Sequence, residues 1–262
     1  MVAVSQEPPA HVFPAHVFPA QAFRDQAFPA MTQRVLLAGS TGLVGSLVRA
    51  RLAARPDIDL VSLVRRGASA PGHEVDFEQL CETPEAVLRP FAPEGIDVAI
   101  SCLGTTIRTA GSQPAMFRVD HDYVLAVARA ARALGARQFI LVTAVGAGGP
   151  GFYLQTKGAI ERAVADLGFE RVDLIRPGFL LGGRAERRVW EAIGQRVFAA
   201  LTPIMLGPLS RYGAIPAETV ADAIVTLIGD VAPGRHLYEN ADMRRLSQAT
   251  RASAERTGHP AP

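Results

Sequence analysis

From residue 33 onward, short apolar runs alternate with stretches whose apolar positions recur at helical spacing. Residues 34–38 predict a first strand, 59–64 a second, 73–76 a short third, 97–102 a fourth, 138–143 a fifth and 172–176 a sixth. Between them, 43–54, 84–91, 115–134 and 152–167 carry helical periodicity. Strands that read as unbroken apolar runs are buried on both faces, as in a parallel sheet between helical layers. Right-handed crossovers then give an α/β fold of the Rossmann type, a doubly wound parallel sheet. After Pro177 the pattern loosens. A helix at 186–201, a proline-rich bend and a helix at 217–228 predict a small C-terminal lobe over the ligand, starting at about residue 178. The apolar stripe Val189, Trp190, Ile193, Val197 and Leu201 reads as core rather than as a membrane-binding face.

The first thirty residues differ. AHVFP occurs twice, followed by the degenerate copies QAFRD and QAFPA. Pro14, Pro19 and Pro29 recur too closely for a helix. Residues 1–30 are expected to be a disordered tail, with 31–262 forming the nucleotide-binding domain and Met31 directly preceding the first strand. A short linear binding motif built on Val-Phe-Pro is the other reading of this segment.

Composition adds exclusions. A net charge of +2 with scattered arginines gives no footprint for nucleic acid. No apolar run reaches the ~18 residues of a membrane span; the most apolar stretch, 197–209, is broken by Pro203 and Pro208. The two cysteines, Cys81 and Cys102, form no disulfide framework, so a reduced, cytoplasmic setting is expected. The histidines show no metal-ligand spacing with them, and no metal is expected.

Three constellations carry chemistry. Gly39, Ser40, Thr41, Gly42, Leu43, Val44 and Gly45 lie between the first strand and the first helix. Glycines there permit a tight turn, close approach to a pyrophosphate and close helix packing. At the end of the second strand, where a protein binding NAD often places an acid, the chain reads Arg65-Arg66. Two guanidinium groups suit a 2′-phosphate, so NADP, as NADPH, is the expected cofactor. The third is Tyr153 with Lys157, the only lysine of the chain; the other 26 basic residues are arginine. Residues i and i+4 share a helix face, so phenol and ammonium can address one ligand. A free phenol has a pKa near 10; a neighbouring ammonium together with a positive oxidised nicotinamide is expected to favour the phenolate, making Tyr153 a usable acid–base group.

With Ser101–Thr106 (SCLGTT), Phe117–Asp120 (FRVD), Asp122–Val124 (DYV), 153–158 (YLQTKG) and Arg176-Pro177-Gly178, these residues resemble the short-chain dehydrogenase/reductase superfamily in its extended or atypical branch. More narrowly, they are similar to the Tat-interacting, metastasis-suppressor-like proteins that bind NADPH. The resemblance covers residues 32–229 in matching order. It implies that Cys102, Leu103, Gly104 and Thr105 line the cofactor ribose. It also implies that Asp76 and Phe77 flank the adenine, and that Arg176, Pro177, Gly178 and Phe179 lie beside the nicotinamide. One position departs from the superfamily: after the fifth strand a catalytic hydroxyl is usual, but the chain has Thr143-Ala144. Thr143 is expected to bond a substrate carbonyl in its place.

The leading expectation is thus an NADP-dependent short-chain dehydrogenase acting on a carbonyl or alcohol of a small or lipid-like substrate. The alternatives are an NADPH-binding regulatory protein with little catalysis, and a sugar-nucleotide epimerase or dehydratase. A homodimer through helices 115–134 and 152–167 is expected by the same resemblance.

Overall fold

The computed structural model describes residues 32–182 and 211–256. The N-terminal tail and the helix expected at 186–201 lie outside the described residues. Seven parallel strands form one sheet in the order β3-β2-β1-β4-β5-β6-β9. They are β1 (Gln33–Ala38), β2 (Ile58–Arg65), β3 (His73–Val75), β4 (Val98–Ser101), β5 (Gln138–Val142), β6 (Arg171–Ile175) and β9 (Gly234–Tyr238). Two short strands, β7 (Phe179–Leu181) and β8 (Ala214–Pro216), pair separately.

Helices cover both faces, so β1 buries both sets of its alternating side chains. Leu36 and Ala38 join the core beneath α6 (Val124–Ala133) and α7 (Phe152–Ala165). Val35 and Leu37 join the opposite core beneath α1 (Leu43–Ala53) and α8 (Ala217–Leu227). Phe139 of β5 is fully buried and packs on Phe169 with ring centroids 5.2 Å apart. Such a side chain contributes roughly 1.5–3 kcal/mol relative to exposure.

The helix expected at 217–228 is present as α8 (Ala217–Leu227). Its buried face, Val220, Ala223 and Ile224, completes the helical layer with Val48 and Leu52 of α1. Arg51 Nε bonds Asp222 Oδ1 at 2.7 Å and ties the two helices at their rim. The chain then adds β9 to the sheet and ends in α9 (Asn240–Arg256). Both elements escape sequence reading.

Two other features were hidden in the pattern. Asp76 caps a short helix, α2 (Phe77–Glu82), accepting from the backbone N–H of Glu78 at 2.9 Å and of Gln79 at 3.3 Å. It is followed by α3 (Pro84–Leu88) and, after β4, by α4 (Ile107–Ala110). The long helix expected at 115–134 begins instead as α5 (Gln113–Phe117), capped by the Ser112 hydroxyl, which accepts from Ala115 N at 3.2 Å. It widens into a π-helical turn over Arg118–Tyr123 before continuing as α6. Such turns re-aim side chains and are frequent at functional sites.

Candidate active site

In a doubly wound sheet, ligands bind at the carboxyl ends of the strands where the order reverses, here between β1 and β4. The glycine turn lies there. Gly39 has φ +83°, and a Cβ on it would lie 2.5 Å from the carbonyl carbon of Cys102. A Cβ on Gly45 would lie 2.1 Å from Gly39 O. Only hydrogen fits at either position, so turn, helix and β4 loop close on one another. Gly42 is the N-cap of α1 and brings no capping side chain, and the first turn holds no acid. The free N–H groups of that turn and the positive end of the helix suit a pyrophosphate. Thr41, Gly42 and Leu43 are exposed to meet it. Ser40 and Val44, expected with them, are buried: the Ser40 hydroxyl donates to Leu63 O at 3.3 Å, and Val44 is core.

Arg65 and Arg66 are both exposed at the end of β2. Arg66 Nη1 lies 3.5 Å from Asp76 Oδ2. Arg65 has no ion pair among the described residues. Phe77 corrects the expectation drawn for the adenine: its ring is only 6% exposed and packs on Tyr123 at 5.2 Å, as part of the core. Only its backbone can border a base.

On the other side of the turn, the β4 loop runs through Cys102, Leu103, Gly104 and Thr105. Desolvation pushes the Cys102 thiol up to about 12, which leaves it a neutral packing group rather than a nucleophile. Thr105 N–H donates to Asp120 Oδ2 at 2.8 Å. The other oxygen of Asp120 lies 2.7 Å from Lys157 Nζ. Both side chains are nearly buried, 0% and 5% exposed. Gly104 lies against this ion pair: a Cβ built on it would stand 3.5 Å from Lys157 Nζ and 3.6 Å from Asp120 Oδ1.

Tyr153 shares the helix face of Lys157, whose Nζ lies 5.8 Å from the ring centroid. In the chain by itself the ammonium does not lower the phenol's pKa. The phenol is pushed up to about 12, first by desolvation and second by the Asp120 carboxylate, although 39% of the residue's surface is exposed. Lys157 is paired with Asp120, so the ammonium stands beside the phenol with its charge balanced.

Thr143 is also not where the sequence placed it chemically. Its hydroxyl donates to Glu161 Oε1 at 2.7 Å, so its hydrogen is committed inside the fold and is not offered to a substrate carbonyl. Glu161 is buried and also receives Arg176, whose Nε is 2.8 Å from Oε1 and whose Nη2 bonds Oε2. Arg235 Nη2 adds a contact at 3.5 Å. Arg176 thus serves as a post between β6 and α7, with its charge spent on Glu161. Pro177 O accepts from Val145 N at 2.9 Å, which fixes the β5 loop to the β6 loop. Gly178 N–H donates to Asn240 Oδ1 at 3.0 Å, and Asn240 Nδ2 donates to Gly213 O at 2.8 Å. A Cβ on Gly178 would lie 2.3 Å from Gly213 O. Phe179 follows, partly exposed.

Sequence reading missed Asp120, Glu161 and Asn240 as site-building residues. Asp120 lies within one of the recognised motifs, but periodicity does not reveal that a π turn buries it. Among the described residues, no cluster of His, Cys, Asp or Glu could hold a metal ion, and no helix is long and apolar enough to cross a membrane.

A model of the NAD(P)H-binding family matches residues 39–230. The chain is 34% identical over 230 residues to the Rattus norvegicus protein HTATIP2, covering 82% of this chain and 89% of the relative. It is 39% identical over 220 residues to the Eremothecium gossypii protein FMP52, described as mitochondrial, covering 82% and 93%. Among solved structures, a UDP-glucose 4-epimerase from Thermotoga maritima superposes with a TM-score of 0.58 over 88% of this chain and 84% of that one. At 16% identity that likeness concerns the fold alone.

Proposed function

Because this chain belongs to the NAD(P)H-binding family, we propose that it is an NADPH-dependent oxidoreductase of the short-chain dehydrogenase type, reducing the carbonyl of a small apolar substrate. The observation that carries this reading is the junction of the β4 loop, Asp120, Lys157 and Tyr153 beside the glycine turn. When bound, the nicotinamide nucleotide supplies the hydride. The chain's residues do the rest. The turn and the first N–H groups of α1 hold the pyrophosphate. Arg65 and Arg66 meet the 2′-phosphate. Lys157, ion-paired with Asp120 at 2.7 Å, has ammonium donors for the ribose hydroxyls. Tyr153 holds a proton to give to the substrate oxygen. Leu43, Ile107, Tyr153, Phe179, Leu181 and Tyr212 are large apolar side chains left exposed, which supports an apolar substrate. The free thiols of Cys81 and Cys102 agree with a reducing compartment.

NADPH consumption with a panel of aldehydes, ketones and quinones tests the reading. Tyr153→Phe should keep nucleotide binding and lose about a hundredfold or more in turnover, the scale of a lost acid–base group. Wild-type turnover by that variant refutes the mechanism. One observation favours a second reading, a nucleotide-bound regulatory protein with little catalysis. The Thr143 hydroxyl is engaged by Glu161, and the next residue is Ala144. Tight NADPH binding without consumption on any carbonyl would decide for it.

A further inference from the structure

Tyr212 stands where the loops after β5 and β6 meet the segment that leads into β8. That segment is fixed: Gly213 O accepts from Phe179 N–H at 3.2 Å and from Asn240 Nδ2 at 2.8 Å. One edge of the Tyr212 ring rests on the β5 loop. Its Cε1 is 3.7 Å from the place a Cβ would take on Gly146, beside Leu154 Cδ1 at 3.6 Å. Leu154 follows Tyr153 on α7, so the ring stands on the same loop-and-helix corner as the proposed proton donor. The loop is a stiff support. Gly148 N–H donates to Leu154 O at 2.7 Å, and Gly149 N–H donates to Gly146 O at 2.9 Å. One face of the ring is taken by Arg211, whose guanidinium carbon lies 5.0 Å from the centroid. Arg211 Nη1 is held in turn at 4.0 Å from Glu239 Oε1. Tyr212 nevertheless keeps 41% of its surface exposed, which leaves the other face of the ring to meet a ligand. The neighbouring surface is apolar as well. Residues 144–151 carry no side chain that donates or accepts a hydrogen bond, and Phe179 and Leu181 are exposed on β7.

We propose that Tyr212 is a specificity-determining residue, a platform on which the flat ring of an aryl ketone or aryl aldehyde lies, so that such carbonyls are taken in preference to open-chain ones. The inference rests on the oxidoreductase reading and names its substrate class. Two rigid rings stack with few rotors to immobilise, whereas an alkyl chain must give up many. Arg211 holds the platform in place by its attraction to the π face it covers. A sugar-like substrate is disfavoured at this corner. It would find no side-chain partners along 144–151, and each hydroxyl buried without one is costly. Tyr212 touches the ring and takes no part in the transfer of hydride or proton.

Two ketones of equal carbon count, acetophenone and octan-2-one, test the platform with NADPH as reductant. The quantity read is the ratio of kcat/KM for the aryl ketone to that for the alkyl ketone. Tyr212→Leu, which keeps an apolar side chain but removes the ring, should lower that ratio by about tenfold, the scale of an aromatic pair. Tyr212→Phe, which keeps the ring, should hold the ratio within about twofold of the wild type. A ratio unchanged in Tyr212→Leu, or lost equally in Tyr212→Phe, overturns the proposal. A binding measurement on the wild-type chain decides even if Tyr212→Leu does not fold. Tyr212→Phe assigns the Tyr212 ring protons among those of the four tyrosines. In the chain loaded with oxidised NADP, where a ketone has no hydride to receive, acetophenone should shift those protons upfield by ring current, and octan-2-one should not. Absence of the acetophenone shift overturns the proposal. The two readings fail separately. A ring-current shift with no carbonyl reduced ends the oxidoreductase reading and leaves the platform, whereas reduction of both ketones at a ratio indifferent to Tyr212→Leu keeps that reading and ends the platform.

Discussion

Replacing Arg65 and Arg66 one at a time tests how the chain distinguishes the two nicotinamide nucleotides. The 2′-phosphate brings close to two negative charges, and a charge-assisted contact with it contributes about 1.5–3 kcal/mol when well formed. Both arginines are exposed, so solvent reduces each contact to about 1–1.5 kcal/mol. That corresponds to roughly a tenfold change in affinity per arginine at most. The two are not equivalent. Arg66 already lies 3.5 Å from the Asp76 carboxylate, with which a phosphate must compete. Arg65 has no ion pair among the described residues, so Arg65→Ala should weaken NADPH binding more than Arg66→Ala. Neither should change NADH affinity, because NADH presents no phosphate to that corner. Titration by nucleotide fluorescence at low and high salt reads both quantities, and the preference should shrink as salt screens the exposed charges. Equal wild-type affinities for NADPH and NADH, or an Arg65→Ala loss that is the same for both, would refute the assignment.

Three further outcomes are expected. Lys157→Arg should weaken nucleotide binding by about tenfold or more despite keeping the charge, since a planar fork replaces a compact ammonium held 2.7 Å from Asp120 under Gly104; calorimetric titration checks it. Gly45→Ala should abolish measurable nucleotide binding and lower the melting temperature by on the order of 5 °C, because its Cβ would lie 2.1 Å from Gly39 O and force the turn open. A chain beginning at Met31 should keep the melting temperature and NADPH affinity of the full chain, as the proline spacing of residues 1–30 implies.

Strands β1, β2, β4, β5 and β6 were legible because their apolar runs demand burial on both sides, whereas β3, His73–Val75, is short and mostly exposed. Strand β9 was not. Its residues, Gly234–Tyr238, sit at the sheet edge with partly exposed side chains, so no apolar run marks them. Helix α8 was legible as an amphipathic element, but amphipathicity does not say which surface the apolar face covers; the packing on α1 does. The glycine turn and the Tyr153–Lys157 spacing were legible because they are local. The charge state around Tyr153 was not, since it depends on Asp120 arriving from another helix through a π turn. Phe77 carries a packing role that the motif does not reveal, because α2, capped by Asp76, directs its ring onto Tyr123.

Asn240 joins Gly178 to Gly213 across the mouth of the β6 loop, and it follows β9, the last strand to enter the sheet. During synthesis the chain folds from its N-terminus. The glycine turn, the β4 loop and the Asp120–Lys157 pair can all form while the final segment is still inside the ribosome. The nicotinamide side cannot be locked until Asn240 has emerged and β9 has paired with β6. A nascent chain can therefore assemble the glycine turn before Asn240 ties Gly178 to Gly213.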